Sequence, residues 1–368
     1  MQVNFNSNKV YFSPYLRAYK CWKNIKKTLD DNNVPYGLLP GTKDVWVRDF
    51  MPIEMADNSF VSYLYRPDYL KNDKGYITSD VDGCYDFTDS TVRKTPIAID
   101  GGNVIRCGDK IIMTDKIFKE NGCTSPKMLP KMLEEAFQAE LILIPWDTGE
   151  KFGHADGMVR YVGHDHILLN DYKDVDEAFR QQLLSLLLPH FKTIDELCYG
   201  KSYRSYSWAH LNFLQVGNHI FVPLVDKHSD DLAIEQIQNV YGEDYDVKGI
   251  ETTGIVRKGG ALNCVSWNIH EDKTPIYESL YDRQAHEVYN WLLKQSEYIG
   301  SVADLYKKVI LGDDMVVATD EYSEHCIVML YERLFDLINK GHEIKIVDDS
   351  EKGRWGIFYN LDFHFKVK

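Results

Sequence analysis

Gly153-His154-Ala155-Asp156-Gly157 sets an acid/base and an anion two residues apart, just ahead of the apolar run Met158 to Val162. In an extended segment alternate side chains share a face. A strand from His154 to Val162 would therefore point His154 and Asp156 the same way, with Ala155 turned away and the glycines admitting close neighbours. Cys264 follows the flexible Lys258-Gly259-Gly260 and is a second reactive group. Only a thiolate attacks, and a nearby imidazolium stabilises it. Brought near His154, Cys264 would be a nucleophile beside its acid/base. Asp100 would then orient the imidazole and favour its protonated form. Taken singly, each has a plainer reading: a cysteine is most often a small buried hydrophobe, and polar residues at a strand end commonly face water.

A repeat would bring them together. Asp44 to Asp49 leads into a strand that turns at Ala56 to Ser59 and returns as Phe60 to Tyr65. Ile97 to Arg106 turns at Cys107 to Asp109 and returns as Lys110 to Thr114. His154 to Val162 turns at Gly163 to Asp165 and returns as His166 to Asn170, and Leu211 to Val216 turns at Gly217-Asn218 and returns as His219 to Pro223. Gly-Asp and Gly-Asn are hairpin-turn pairs. Helical stretches follow at Lys127 to Ala139, Val175 to Leu188 and Asp231 to Tyr241, then a strand such as Glu140 to Pro145. A fifth unit, Ala261 to Trp267, has no return strand, and the strand Asn8 to Ser13, which precedes a helix over Tyr15 to Asp31, would pair there and close a ring. Asp49, Asp100, His154, Asn212 and Cys264 stand at successive intervals of 51, 54, 58 and 52 residues. A period of this size with a strand-turn-strand-helix-strand body reads as a radial repeat, in which equivalent positions face a common centre.

The bulk figures leave room for this and exclude other classes. The 368 residues suffice for one large or two smaller domains. The content is 44% hydrophobic and 13% aromatic, as in an ordinary globular chain. A formal charge of -14 argues against a nucleic-acid or anionic-membrane partner. The seven cysteines (Cys21, Cys84, Cys107, Cys123, Cys198, Cys264, Cys326) are dispersed without a C-x-x-C pair, which fits a reducing compartment. With no secretory pattern at the amino terminus and no run approaching ~18 apolar residues, a cytoplasmic protein is expected.

Asp49 and Asp156 add two carboxylates to the thiol and imidazole. Several anions around a thiolate suit a planar, permanently cationic group rich in N–H donors, and the guanidinium is that group. Attack by Cys264 on the guanidinium carbon, with His154 protonating the departing nitrogen, would give a covalent thiouronium that water releases as a ureido product. That chemistry requires no metal or organic cofactor. His164-Asp165-His166 has a metal-like spacing but sits on an expected turn without further ligands nearby. His228-Ser-Asp-Asp231 reads as a helix cap, and Gly101-Gly102 and Gly259-Gly260 lack phosphate-loop spacing.

Trp46-Val-Arg48-Asp49-Phe-Met-Pro52, Asp100-Gly-Gly-Asn103, Gly153-His154-Ala-Asp156, Leu211-Asn212-Phe213 and Gly259-Gly260-Ala-Leu-Asn-Cys264 resemble, in order, the motifs of agmatine deiminases and porphyromonas-type peptidylarginine deiminases. The likeness runs over about residues 8 to 270. It implies the pentein fold of the guanidine-modifying superfamily, a five-fold pseudosymmetric α/β propeller of ββαβ repeats. It also implies Cys264 as nucleophile, His154 as general acid/base, Asp100 as the histidine-orienting acid, and Asp49 with Asp156 as the guanidinium holders. Asn212 and Trp46 would line the pocket, and Arg48 would hold its loop. The chain departs from the pattern at Asp100, where agmatine deiminases usually have Glu, and at Asn263, where they have His. The N-terminal segment is also shorter.

The expected organisation is a pentein catalytic domain over 1–271 and a C-terminal α+β extension over 272–368. The extension should hold helices at Tyr277 to Lys294, Val302 to Val309 and Glu321 to Lys340, and strands at Glu343 to Val347 and Trp355 to Tyr359. Ile327, Leu330, Leu334 and Leu337 would form a buried stripe there. The expected partner is a cationic guanidino small molecule, agmatine or an agmatine-like amine first, with free arginine or an arginyl peptide as alternatives. Amidino transfer and non-catalytic guanidinium binding are the rival readings, and homo-oligomerisation stays open.

Overall fold

Short hairpins, each extended by one parallel strand, build the N-terminal part of the chain. The computed structural model describes residues 7–87, 90–122, 125–149, 152–271, 276–311, 321–341, 343–346 and 363–367. The chain divides into two units, Met1–His270 and Glu271–Lys368.

In the first unit, module one pairs Ile53–Glu54 antiparallel with Phe60–Leu64, which runs parallel to Val92–Ala98. Module two repeats this with Ile105–Cys107, Lys110–Thr114 and Glu140–Ile144. Module three uses Val159–Gly163, His166–Leu169 and Thr193–Glu196. Module four uses Leu214–Val216, His219–Leu224 and Asp246–Glu251. In module five, Ser266–Ile269 pairs antiparallel with the N-terminal Lys9–Phe12, which is parallel to Tyr36–Leu38. The chain's start thus supplies the return strand that its fifth repeat lacks.

Helices Leu129–Phe137, Glu177–Leu187, Lys227–Tyr241 and Cys21–Asp31 make the crossovers of modules two to five. Module one has the 3-10 turns Asp68–Leu70 and Lys74–Tyr76 in the described part of its crossover. The hydrophobic clusters are shared between neighbours. Ile53 and Val61 pack with Ile111 and Met113 of the next module, Ile112 with Val159 and Ile167, and Leu168 with Ile220 and Val222. Trp267 of module five packs with Phe50 and Phe60 of module one. No module buries its apolar face alone, so the five stand together.

Several sequence expectations are corrected in detail. His154 to Val162 is not one strand: His154 precedes the 3-10 turn Ala155–Gly157, and the strand starts at Val159. Thr114 Oγ1 donates to the Gly153 carbonyl at 2.7 Å, and Asn170 Nδ2 to that of Gly157 at 3.0 Å. Side chains therefore take the bonds that a ladder would have used. Ile97–Ala98 closes module one, and the turn Gly101–Asn103 separates it from Ile105–Cys107. Asp49 lies in the short helix Val47–Phe50, and Leu211-Asn212 precedes rather than opens its strand. Tyr15 to Asp31 splits at Tyr19 and Lys20 into the 3-10 turn Pro14–Ala18 and the helix Cys21–Asp31. The cap of Lys227–Tyr241 is Asp226, which accepts from the His228 N–H, so His228 to Asp231 lies inside the helix.

The second unit holds helices Ile276–Leu293 and Glu321–Lys340, which pack on each other. Between them a short helix, Val302–Leu305, opens with a Ser301–Asp304 capping box and runs into a π-helical stretch, Tyr306–Leu311. Phe363–Val367 is the central strand between Glu297–Gly300 and Ile344–Ile346, both antiparallel to it. Ile327, Leu330 and Leu334 are buried and Leu337 is half-buried. The strand expected at Trp355 to Tyr359 lies outside the described residues. Among the described residues no helix is long and apolar enough to cross a membrane.

Phe12, fully buried on the ring-closing strand and packed edge-on against Trp22, tests the closure. Phe12→Ala should lower the unfolding free energy by about 3–5 kcal/mol in a denaturant titration. A loss below about 1 kcal/mol would mean that this strand does not hold the ring.

Candidate active site

All five sequence-selected turns precede the opening strand of a module, and they meet at one end of the ring. Backbone bonds tie them together. Arg48 N donates to the Cys264 carbonyl at 3.1 Å, and Asn263 N to that of Asn212 at 3.0 Å. Asn212 Nδ2 reaches the Asp156 carbonyl at 3.4 Å. The turn of Asp100 comes close because it carries Gly101-Gly102. A Cβ at Gly101 would stand 2.1 Å from the Arg48 carbonyl oxygen. At Gly102 it would stand 2.6 Å from His154 Nδ1 and 2.9 Å from Asp49 Oδ1. These two glycines are needed for approach, not for backbone freedom.

The structure gathers the reactive side chains into two linked groups. Cys264 Sγ donates to Asn212 Oδ1 at 3.2 Å and faces Asp156 Oδ2 at 3.7 Å. The Cys264 N–H also donates to Asn212 Oδ1, at 3.3 Å. His154 Nε2 lies 3.1 Å from Asp100 Oδ2, and its Nδ1 faces Asp49 Oδ1 at 3.8 Å. Asp49 and Asp156 act on both the thiol and the imidazole. Cys264, His154, Asp49, Asp100, Asp156 and Asn212 are all buried. Trp46 lies against Gly260 in the turn leading to Cys264, where an added Cβ would be 2.3 Å from its ring. Arg48 holds its loop by donating to the Asn263 carbonyl and to Asn268 Oδ1.

Charge sets the protonation of the site. Burial disfavours the His154 cation, but Asp49, the hydrogen bond to Asp100 and the Asp156 charge outweigh it and push the imidazole up to about 10. Burial, then the charges of Asp156 and Asp49, raise the Cys264 thiol well above its ordinary value of 9.0. Burial lifts Asp49 to about 7 against the opposing pull of His154, with Asp100 and Asp156 adding to the rise. Asp49 Oδ1 is buried without a hydrogen-bond partner. Such an oxygen is costly unless a donor arrives to meet it.

Other residues at the site were not visible from the sequence. Tyr69 donates to Asp49 Oδ2 at 3.4 Å and packs edge-on against Phe152, whose ring lies 6.0 Å from that of His154. Lys116, 1% exposed, stands 3.4 Å from Asp100 and 2.7 Å from Glu120. The Lys116/Glu120 spacing of four residues was the one available signal. Asn263 donates to Asp156 Oδ2 at 2.7 Å and accepts from Arg160 at 3.0 Å, so this departure from the family pattern braces the carboxylate. His164 and Asp165 occupy left-handed turn positions, and His166 pairs with Asp195. Among the described residues no cluster of three His, Cys, Asp or Glu could hold a metal.

Comparison with known proteins gives the same picture of fold and family. The family model described as Porphyromonas-type peptidyl-arginine deiminase matches residues 20–269. A Shewanella baltica (strain OS195) protein provisionally named an agmatine deiminase is 32% identical over 65 residues, 18% of this chain. The match spans 17% of that relative's length. The solved agmatine deiminase of Enterococcus faecalis superposes with a TM-score of 0.58 at 15% identity, covering 74% of this chain and 95% of its own. That of C. jejuni gives 0.56 at 15% identity, over 74% and 95%. At such identities these structures establish the fold, a pentein propeller, and nothing finer.

The histidine's environment makes a pH prediction. Its folded value lies above the ordinary 6.5. Its protonation therefore stabilises the fold fully below pH 6.5, and that contribution is lost as pH rises through about 10. In NMR titration of the free protein the His154 ring should stay protonated at pH 8, and Asp100→Asn should lower its midpoint. A ring that titrates near 6.5 in both proteins would contradict this balance of charges.

Proposed function

The chain belongs to the Porphyromonas-type peptidyl-arginine deiminase family, and on that premise we propose that it hydrolyses a guanidino compound, agmatine or an agmatine-like amine, through a covalent intermediate on Cys264. The observation that carries this reading is the buried Asp49 Oδ1, which no hydrogen bond satisfies, in a site where Asp156 stands beside the thiol. Two buried carboxylates that meet a guanidinium exchange desolvation cost for charge-assisted bonds. The agmatine deiminases among the relatives and structural neighbours support the choice of substrate.

The bound cation offsets the negative charges that hold the thiol protonated, so the Cys264 proton leaves to solvent as the substrate arrives. The thiolate attacks the guanidinium carbon, and the imidazolium of His154, held by Asp100, gives its proton to the departing nitrogen. Ammonia leaves and a thiouronium remains. Water then attacks that carbon while His154 takes its proton. The carbon–sulfur bond breaks, releasing the ureido product and the thiolate. Asn212 steers the thiol, and Trp46, Tyr69 and Phe152 wall the pocket.

Assay of agmatine, free arginine, methylated arginines and arginyl peptides should give ammonia and ureido product in equal amounts, fastest with agmatine. Appearance of a transferred amidino group on an added amine would replace hydrolysis by amidino transfer. Cys264→Ala should abolish turnover and still bind substrate. In that background, adding Asp156→Asn should weaken binding by about 2 kcal/mol or more by calorimetry. Unchanged affinity would remove Asp156 from the guanidinium site.

A further inference from the structure

A second set of equivalent positions runs along the inside of the ring. Glu54, Arg106, Arg160, Gln215 and Asn268 sit in the opening strands of the five modules, at intervals of 52, 54, 55 and 53 residues. Their strand neighbours Ile53 and Met55, Ile105 and Cys107, Val159 and Tyr161, and Trp267 and Ile269 face the inter-module clusters. The polar set lies on the other side of these strands, and its members Arg106, Arg160, Gln215 and Asn268 share a cavity whose wall also includes Val104, Ile105 and Tyr161. Arg48, Arg106, Arg160, Gln215, Asn263 and Asn268 line this cavity of about 60 Å³.

Three guanidiniums converge on this small space. Arg48 is bonded to the Asn263 carbonyl and Asn268 Oδ1. Arg160 is bonded to Asn263 Oδ1 and lies 4.4 Å over the Phe213 ring. Arg106 donates to the Glu54 carbonyl, and its Nη1 is 3.8 Å from the Glu54 carboxylate. Burial, with repulsion from Arg160 and Arg106, brings Arg48 down to about 10. Arg160 also donates to the Tyr241 hydroxyl. Each guanidinium carries five donors, more than these contacts use at Arg48 and Arg160. Glu54 offsets the charge of Arg106, and Asp156 acts on Arg48 and Arg160 from the catalytic side, which leaves three cations facing two carboxylates around the cavity.

We propose that the axial cavity binds a small monovalent inorganic anion of the halide or nitrate class, held by Arg48, Arg106 and Arg160. A space of about 60 Å³ suits a small ion better than a phosphate ester or a nucleotide. Asn263 forms the wall between this anion and the catalytic end: one end of its amide contacts Arg160 and the other Asp156. The inference rests on the axial side chains alone and is read without substrate, so it stands or falls separately from the proposed reaction.

Two measurements on the full chain test it. Crystals soaked in bromide should show an anomalous peak in the cavity, within bonding distance of the three arginines. In calorimetry at fixed ionic strength, replacing gluconate by chloride or nitrate should raise Tm saturably. Arg106→Gln should weaken that response at least tenfold, and the control Arg93→Gln, at a half-buried arginine outside the cavity lining, should leave it intact. An empty cavity at high bromide, bromide bound only at the outer surface as an adventitious ion, or the same Tm response in Arg106→Gln would overturn the proposal. Should Arg106→Gln fail to fold, the bromide map of the wild-type protein decides.

Discussion

The buried ion cluster of Asp49, His154 and Asp100 is the constraint on which the rest depends. His154 lies between two carboxylates contributed by turns 51 residues apart, neither of them its own. Such a cluster is unfavourable unless each charge has a partner and water is kept out. The five modules supply that enclosure. Their clusters are shared from one module to the next, so the turns at one end have no independent freedom. Gly101 lets the Asp100 turn approach the Arg48 backbone, and Gly102 lets it approach Asp49 and His154.

The same enclosure sets the protonation of the thiol and the imidazole. Burial and the charges of Asp156 and Asp49 keep the Cys264 thiol protonated, whereas Asp49, Asp100 and Asp156 keep the His154 ring charged against the effect of burial. In the proposed reaction a bound guanidinium would offset the anions around the thiol, while Asp100 still holds the imidazolium by its hydrogen bond. Lys116, enclosed with Asp100 and Glu120, adds a fixed cation behind the histidine-orienting acid. Gly153, at φ +67°, makes room for it, since a Cβ there would stand 2.7 Å from the lysine chain.

Much of the ring was legible in the sequence because its signals are local. Gly108 and Gly217 mark hairpin turns at positive φ, and His164 and Asp165 take the same role without glycine. The spacing of Asp49, Asp100, His154, Asn212 and Cys264 carried the period, and the missing return strand of the fifth unit pointed to Lys9–Phe12. The local shape of the site was not legible. His154 and Asp156 read as strand residues by alternation, yet Thr114 and Asn170, distant in sequence, take the carbonyls that a strand would have paired. Tyr69, Lys116 and Asn263 act through packing across modules, which no single segment encodes. In the second unit the helices followed their apolar period, whereas Glu297–Gly300, a half-exposed strand of four residues, gave no periodic signal.

The central claim is that a guanidinium held by buried carboxylates becomes bonded to Cys264. Its most direct test is rapid acid quench of protein mixed with agmatine, followed by mass spectrometry of the Cys264 peptide. An amidino-type adduct on that sulfur, appearing before the steady state and decaying as substrate is consumed, is the result predicted. Steady turnover with the Cys264 peptide unmodified at every quench time would contradict it.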